Sequence, residues 1–238
     1  MGRIFEKRKH KMFARYAKMA KAFTRIGKDI AMAVKLGGPN PDGNPRLRMA
    51  IQNAKAMNMP KANVDGAIKR ATEKDSANYE EVIYEGYAPH GVPLLVECTT
   101  DNPTRTVATV RMHFNRGEGS LGTQGSVSFM FERKGLFKID STGLNKDDVE
   151  LALIDGNAED FTWDDEANEL IVQVAFTDFG AMAATIEKEK LNVKETSLVF
   201  LPTTTKELND EAKEAEVMAL IEKMEEEDDV VAVYHNLA

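Results

Sequence analysis

Residues 135–201, GLFKIDSTGLNKDDVELALIDGNAEDFTWDDEANELIVQVAFTDFGAMAATIEKEKLNVKETSLVFL, spell one complete folding unit. A strand over Gly135–Ile139 is followed by a helix from about Lys146 to Asp155. Strands around Ala158–Trp163 and Glu169–Ala175 come next, then a helix near Asp178–Lys190 and a strand over Thr196–Leu201. The order βαββαβ predicts a ferredoxin-like fold.

The flanking segments are incomplete by themselves. Upstream, Val92–Thr99 reads as an apolar strand, and Asn102-Pro103 starts a helix carrying Val107, Val110, Met112 and Phe114. A glycine-rich loop, 117–125, leads into a strand Val127–Arg133 with alternating Val127, Phe129 and Phe131. Downstream, 207–226 reads as a helix (Leu208, Ala212, Ala215, Met218, Ala219, Ile221) and Val230–Tyr234 as a strand, with no domain of their own. The economical solution is a split domain with the unit 134–203 inserted into it.

The N-terminal third is helical and cationic. In residues 6–35, Met12, Tyr16, Met19, Phe23, Ile26, Ile30, Ala33 and Val34 recur in steps of three and four and predict one core stripe. Lys18, Lys21, Arg25 and Lys28 fall on the opposite face, and the residues before them suit a basic arm that orders on binding. Gly37, Gly38, Pro39, Pro41, Asp42 and Gly43 mark a loop. Asn44-Pro45 then starts a short helix, because Asn caps free amide groups and proline at the first helical position loses no hydrogen bond. Leu47, Ala50, Ile51, Ala54 and Met57 form its inner stripe, with Arg48, Gln52 and Lys55 on the flank. A break at Asn58-Met59-Pro60 opens another helix with Val64, Ala67, Ile68 and Ala71 inside and Lys61, Lys69 and Arg70 outside. Residues 72–81 read as a polar linker. The expected class is therefore α+β: a basic helical domain over 1–75, a split α/β domain over 76–133 plus 204–238, and an inserted ferredoxin-like domain over 134–203.

Charge is segregated along the chain. The total of −8 combines a net of +13 over residues 1–74 (18 Lys and Arg against 5 Asp and Glu) with −21 over the rest. A cationic module on an acidic body points to a polyanion as partner of the first part. A single cysteine, Cys98, excludes an intrachain disulfide framework or a Cys-based zinc cluster. The charged start MGRIFEKRKHK lacks the apolar run of a signal peptide, and no stretch approaches the ~20 apolar residues of a membrane span, so a cytoplasmic protein is expected.

No catalytic constellation emerges. Gly117-Glu118-Gly119-Ser120-Leu121-Gly122 matches G-x-G-x-x-G by letter, but that motif needs a strand before it and a helix after, and the expected order here is reversed. Cys98 sits in an apolar strand, and His10, His90, His113 and His235 are scattered without metal-ligand spacing. The acidic run Glu225–Asp229 reads as solvated surface. In Asp101-Asn102-Pro103-Thr104-Arg105, turn and capping chemistry accounts for the first half.

Five segments together carry a family resemblance: NPRLRMAIQNAKAMNMPKANVDGAIKRA, YEGYAPHGV, ECTTDNPTRTVATVR, GSLGTQGSVSFMFERKG and EEEDDVVAVYHN. They span nearly the whole chain, which resembles the YebC/PmpR family of bacterial proteins described as transcriptional regulators, together with a mitochondrial translational activator of cytochrome oxidase. The resemblance implies three domains, a helical one followed by two ferredoxin-like α/β ones, and a non-enzymatic function. It departs at the N-terminus, where Gly2-Arg3-Ile4-Phe5-Glu6 stands in place of a GHSKW-like stretch, and at Ala62, where an acidic cap is common.

The resulting expectation is a nucleic-acid-binding regulator of gene expression with no metal, cofactor or small-molecule substrate. Phosphate contacts fall to Lys18, Lys21, Arg25, Lys28, Arg46, Arg48, Lys55, Lys61, Lys69 and Arg70. If about six of them engage duplex DNA, log K falls against log salt with a slope of roughly −5. DNA and ribosomal RNA on the ribosome both remain open as targets. The absence of a recognisable base-reading signature favours backbone and shape recognition. A third reading is a protein adaptor whose acidic domains dock a basic partner.

Overall fold

The computed structural model describes residues 2–73 and 78–238, with the side chains of the first helix described from Met19 onward. The expected basic arm, the Met12 and Tyr16 positions of the stripe, and the Lys18 side chain lie outside the described residues, as does the middle of the expected linker. The fold is α+β, a helical N-terminal region followed by two antiparallel four-stranded sheets with their helices. By compactness the chain divides into two units, 1–124 with 208–233, and 125–207 with 234–238.

The helical region consists of α1 (Gly2–Gly37), α2 (Pro45–Ala56) and α3 (Lys61–Thr72). Asn44 organises the turn into α2. Its side-chain oxygen accepts from the Leu47 amide at 3.1 Å, while its amide group donates to the carbonyls of Ala33 at 2.7 Å and Gly38 at 2.9 Å. One side chain thus caps α2 and ties it to the end of α1. Ile26, Ile30, Ala33 and Val34 of α1 pack against Leu47, Ala50 and Ala54 of α2 and Val64, Ala67 and Ala71 of α3. Large fully buried members such as Ile30 and Leu47 contribute about 1.5–3 kcal/mol each, and the alanines allow the helices to approach closely. Met57, expected on the inner stripe, is exposed because α2 ends at Ala56 and Met57 becomes its C-cap. No side chain caps α3, consistent with Ala62 in its first turn.

After the helical region, β1 (Glu80–Ala88), β2 (Val92–Thr100), β3 (Ser120–Leu121) and a last strand, Val230–His235, form a sheet in the order β3-β1-β2-last. The expected linker therefore gives way to a strand at Glu80. Its glutamates and tyrosines hide the signal, since β1 is at most partly buried until Glu85, which is itself buried. The hairpin turns at Pro89–Gly91, where His90 takes φ 63°. β2 is buried along its whole length except at Glu97, as its apolar run Val92–Val96 implies for the first half. α4 (Pro103–Arg116) packs against β1, β2 and β3. The Gly117–Gly122 match to a phosphate loop does structural work instead: a Cβ at Gly119 would lie 2.5 Å from the Tyr87 carbonyl oxygen, so the glycine lets the loop close onto β1.

The second sheet contains β4 (Phe131–Asp140), β5 (Ala158–Asp164), β6 (Glu169–Ala175) and β7 (Val193–Pro202), with α5 (Lys146–Asp155) and α6 (Phe179–Lys188). Its order β5-β6-β4-β7, with every neighbouring pair antiparallel, is that of the ferredoxin-like βαββαβ unit. Phe137, Ile139, Leu170, Val172 and Val174 face Val149 and Leu153 of α5 and Met182 and Ile186 of α6. Two expected strands, Val127–Arg133 and Gly135–Ile139, are instead a helical turn at Ser128–Met130 followed by one strand. The Met130 amide bonds to the Val127 carbonyl at 2.9 Å and Phe129 is left exposed, which ends the alternation there. Gly135 does not interrupt the strand. A Cβ there would meet the Phe179 ring at 2.4 Å, and that ring stacks on Phe137 with centroids 4.7 Å apart.

The remaining elements are α7 (Glu211–Glu225) and β8, the last strand above. The buried face of α7 is Val217, Leu220, Ile221 and Met224 rather than the alanine-containing stripe expected, because the branched and long side chains gain more from burial than Ala212, Ala215 and Ala219.

Candidate nucleic-acid interface

The ten expected cations divide into distinct environments. Arg48 is exposed on α2, its guanidinium donating to the Asp42 carbonyl at 3.1 Å. Lys55 is exposed at the end of the same helix, and Lys61, Lys69 and Arg70 are exposed on α3. Lys69 and Arg70 stand in the last turn, where the helix dipole favours a cation. Lys61 stands in the first turn, where the dipole disfavours one and no acidic residue offsets it. Five of the ten thus present charge outward from α2 and α3.

Four others are engaged within the fold. Arg46 forms an ion pair with Glu81 of β1. Lys21 donates to the carbonyls of Glu225 and Glu226, and Arg25 donates to the Glu225 carbonyl at 3.1 Å. Lys28 is buried; its ammonium donates to the Thr99 carbonyl at 2.9 Å, the Asp228 carbonyl at 2.8 Å and Asp229 Oδ1 at 2.8 Å. The face of α1 opposite its apolar stripe is therefore not a continuous solvated surface. It meets the C-terminal end of α7, where orphan carbonyls and the dipole both attract cations.

Asp229 is the centre of this junction. Besides Lys28 it accepts from Thr100 at 3.1 Å, Arg105 at 3.0 Å and Thr106 at 2.9 Å. Burial works against its charge, but the hydrogen bonds from Lys28, Arg105 and Thr106 outweigh it and hold the carboxyl at about 2. The acidic run is accordingly not wholly solvated surface. The Asp101–Arg105 segment also finds a role: Asn102 caps α4 by accepting from the Arg105 amide at 3.1 Å, and the Arg105 side chain bridges Asp101 and Asp229. Sequence reading missed this junction, because its partners are polar residues far apart in the chain and no periodicity joins them.

Other titratable groups are structural. Burial pushes the Cys98 thiol up to about 12, which leaves it protonated and inert. His90 pairs with Glu216 at 2.8 Å and His113 with Glu227 at 2.7 Å. Among the described residues no group of three or more His, Cys, Asp or Glu is placed to hold a metal ion. Within the same limit, no helix is long and apolar enough to cross a membrane.

A cationic helical region joined to two antiparallel α/β sheets, with the C-terminal strand returning to the first sheet, defines a class that comparison with known proteins identifies. Residues 3–74 match the TACO1/YebC protein N-terminal domain and residues 79–237 match the TACO1/YebC second and third domain; the chain belongs to this family. A probable transcriptional regulatory protein of Flavobacterium johnsoniae is 51% identical over 237 residues, covering 100% of this chain and 99% of that protein. One of Myxococcus xanthus, with the same description, is 52% identical over 241 residues and covers both chains fully, at 100% each. The crystal structure of a conserved hypothetical protein from Aquifex aeolicus superposes with a TM-score of 0.80 at 37% identity, covering 92% of this chain and 90% of that one.

Proposed function

We propose that this protein is a non-enzymatic, nucleic-acid-binding regulator of gene expression, and that the helical domain over 1–75 is its phosphate-contacting module. The observation that carries the reading is the set of five exposed cations, Arg48, Lys55, Lys61, Lys69 and Arg70, on two consecutive helices within residues 1–74, whose net charge is +13. The description of the family relatives as transcriptional regulators supports DNA as the target. Lys21, Arg25, Lys28 and Arg46 serve mainly to hold α1 and α2 in place. They are removed from the direct contacts, and Lys18 remains a candidate. The two sheets supply a predominantly acidic body that turns away from the polyanion or meets protein.

The test is the salt dependence of binding to duplex DNA. Five phosphate contacts give a slope of log K against log salt of roughly −4 to −5. A slope near zero, or binding that survives loss of all five charges, overturns the assignment.

A further inference from the structure

Between α1 and α3 lies an open groove of about 680 Å3. Phe23 and Gly27 line it from α1, Ala62, Gly66 and Arg70 from α3, and Tyr79 from the chain leading into β1. Both glycines are interior helix positions with ordinary right-handed backbone, where glycine weakens a helix relative to alanine. Packing requires neither. Among the described residues no atom lies within 4 Å of a Cβ built at Gly27, and only the flexible end of Arg70, at 3.9 Å, approaches one built at Gly66. Two helices therefore carry a destabilising residue, on the walls they present to the same groove, and no packing contact among the described residues requires either. Glycine at such a position admits the close approach of something outside the fold.

The lining says what approaches. Arg70 is exposed at the rim, on the helix that also displays Lys61 and Lys69. Phe23 and Tyr79 are half-buried and supply ring surface, with the Lys28 ammonium 5.7 Å from the centre of the Tyr79 ring. Glu73 is the only acid lining the groove among the described residues. A cation at the rim with aromatic rings inside is an arrangement that holds single strands, phosphate on the charge and bases on the rings. The volume falls in the range of about 300–1,000 Å3 typical of small-ligand sites, room for a nucleotide or two but not for a duplex. We propose that the groove between α1 and α3 takes a single nucleic-acid strand, with backbone phosphate at Arg70, sugar–phosphate against Gly27 and Gly66, and a base against Tyr79. This rests on the nucleic-acid reading above and specifies the form of the ligand.

The test measures binding of the full chain to labelled single strands, oligo-dT and oligo-U, and to a duplex of equal length. The Gly27→Leu/Gly66→Leu pair fills the groove without removing a charge, and Gly27→Ala/Gly66→Ala controls for helix stability. The Leu pair is expected to lose at least tenfold in single-strand affinity while its duplex affinity and salt slope stay at the wild-type level. The Ala pair should melt at a higher temperature and lose single-strand affinity to a degree between wild type and the Leu pair, because each added methyl already stands where the strand approaches. Tyr79→Ala gives an independent arm if the Leu pair fails to fold, with the same selective loss expected. A preference for oligo-U or for oligo-dT supports the groove either way and identifies the strand it holds. Unchanged single-strand affinity in both the Leu pair and Tyr79→Ala overturns the groove assignment alone. So does loss of a nuclease-resistant protein partner with strand affinity intact, which gives the groove to a protein segment. Failure of the wild type to bind any of the three ligands overturns the nucleic-acid function as well.

Discussion

The ammonium of Lys28 and the carboxylate of Asp229, 201 residues apart in the chain, meet at 2.8 Å in the interior of the first compact unit. Only 10% of the Lys28 side chain and 17% of that of Asp229 remain exposed, so each charge depends on the other for the solvation it has lost. The pair joins the helical region to the segment between α7 and β8. Removing one partner leaves a desolvated charge, and Lys28→Met or Asp229→Asn should each cost about 2–4 kcal/mol. Urea unfolding at pH 7 measures it. The double variant should cost less than the sum of the singles, since neither charge is then left alone.

Asp229 also sets an acid limit. Its carboxyl is held at about 2, below the ordinary value of 3.8, so the folded chain binds this proton less readily than the unfolded one. The stability it supplies is fully present above about pH 4 and is lost as pH falls from there through about 2, a change on the order of 1–2 kcal/mol. In Asp229→Asn this part of the acid profile should disappear. Parallel curves for variant and wild type between pH 4 and pH 2 would refute the effect.

The sequence made the second sheet legible in order and type because its elements alternate cleanly and are separated by turn residues. The same holds for α2 and α3, whose starts are written in Asn44-Pro45 and in the break at Pro60. β1 was illegible because the exposed Glu80 and Glu81 and the buried Glu85 break any apolar alternation, and pairing with β2, apolar from Val92 to Val96, decides its conformation. On the candidate interface, the sequence showed which residues are cations but not which are committed. Lys21, Arg25 and Lys28 have the periodicity of a solvated face, and only the tertiary approach of the α7 end shows that they hold carbonyls. The glycines at 27 and 66 gave no signal by themselves, since a helical pattern tolerates an isolated glycine; the open space beside them is a property of the packed helices.

Asp29, next to Lys28 on α1, has the opposite linkage. Burial pushes its carboxyl up to about 6, aided by Glu81 and Glu97 and opposed by Arg46 and Arg25. Between about pH 4 and pH 6 the folded chain therefore binds more protons than the unfolded one, and stability falls as pH rises through that window. At neutral pH the charged Asp29 is a net cost. Asp29→Asn should remove this dependence, so that the variant gains on the order of 1–3 kcal/mol on wild type between pH 4 and pH 7. Denaturant melts at those two pH values check it, and a difference that does not change with pH would refute it.

The division of the cations into exposed and committed sets has a direct consequence for binding. Each exposed cation that contacts a phosphate contributes about 0.9 to the slope of log K against log salt on duplex DNA. Lys55, Lys61, Lys69 and Arg70, changed together to Gln, should therefore flatten that slope by about 3 to 4 and lower affinity most at low salt. Their exposure means that no fold contact is lost, so the melting temperature should stay near the wild-type value. Lys21→Gln with Arg25→Gln should do the reverse. It removes donors from the carbonyls of Glu225 and Glu226, lowering stability while leaving the salt slope within about 1 of wild type. Salt titrations of both variants, read beside their thermal melts, separate the two sets. If the α1 pair flattened the slope as much as the α2–α3 set, the carbonyl contacts would have to open on binding, and α1 would share the phosphate surface.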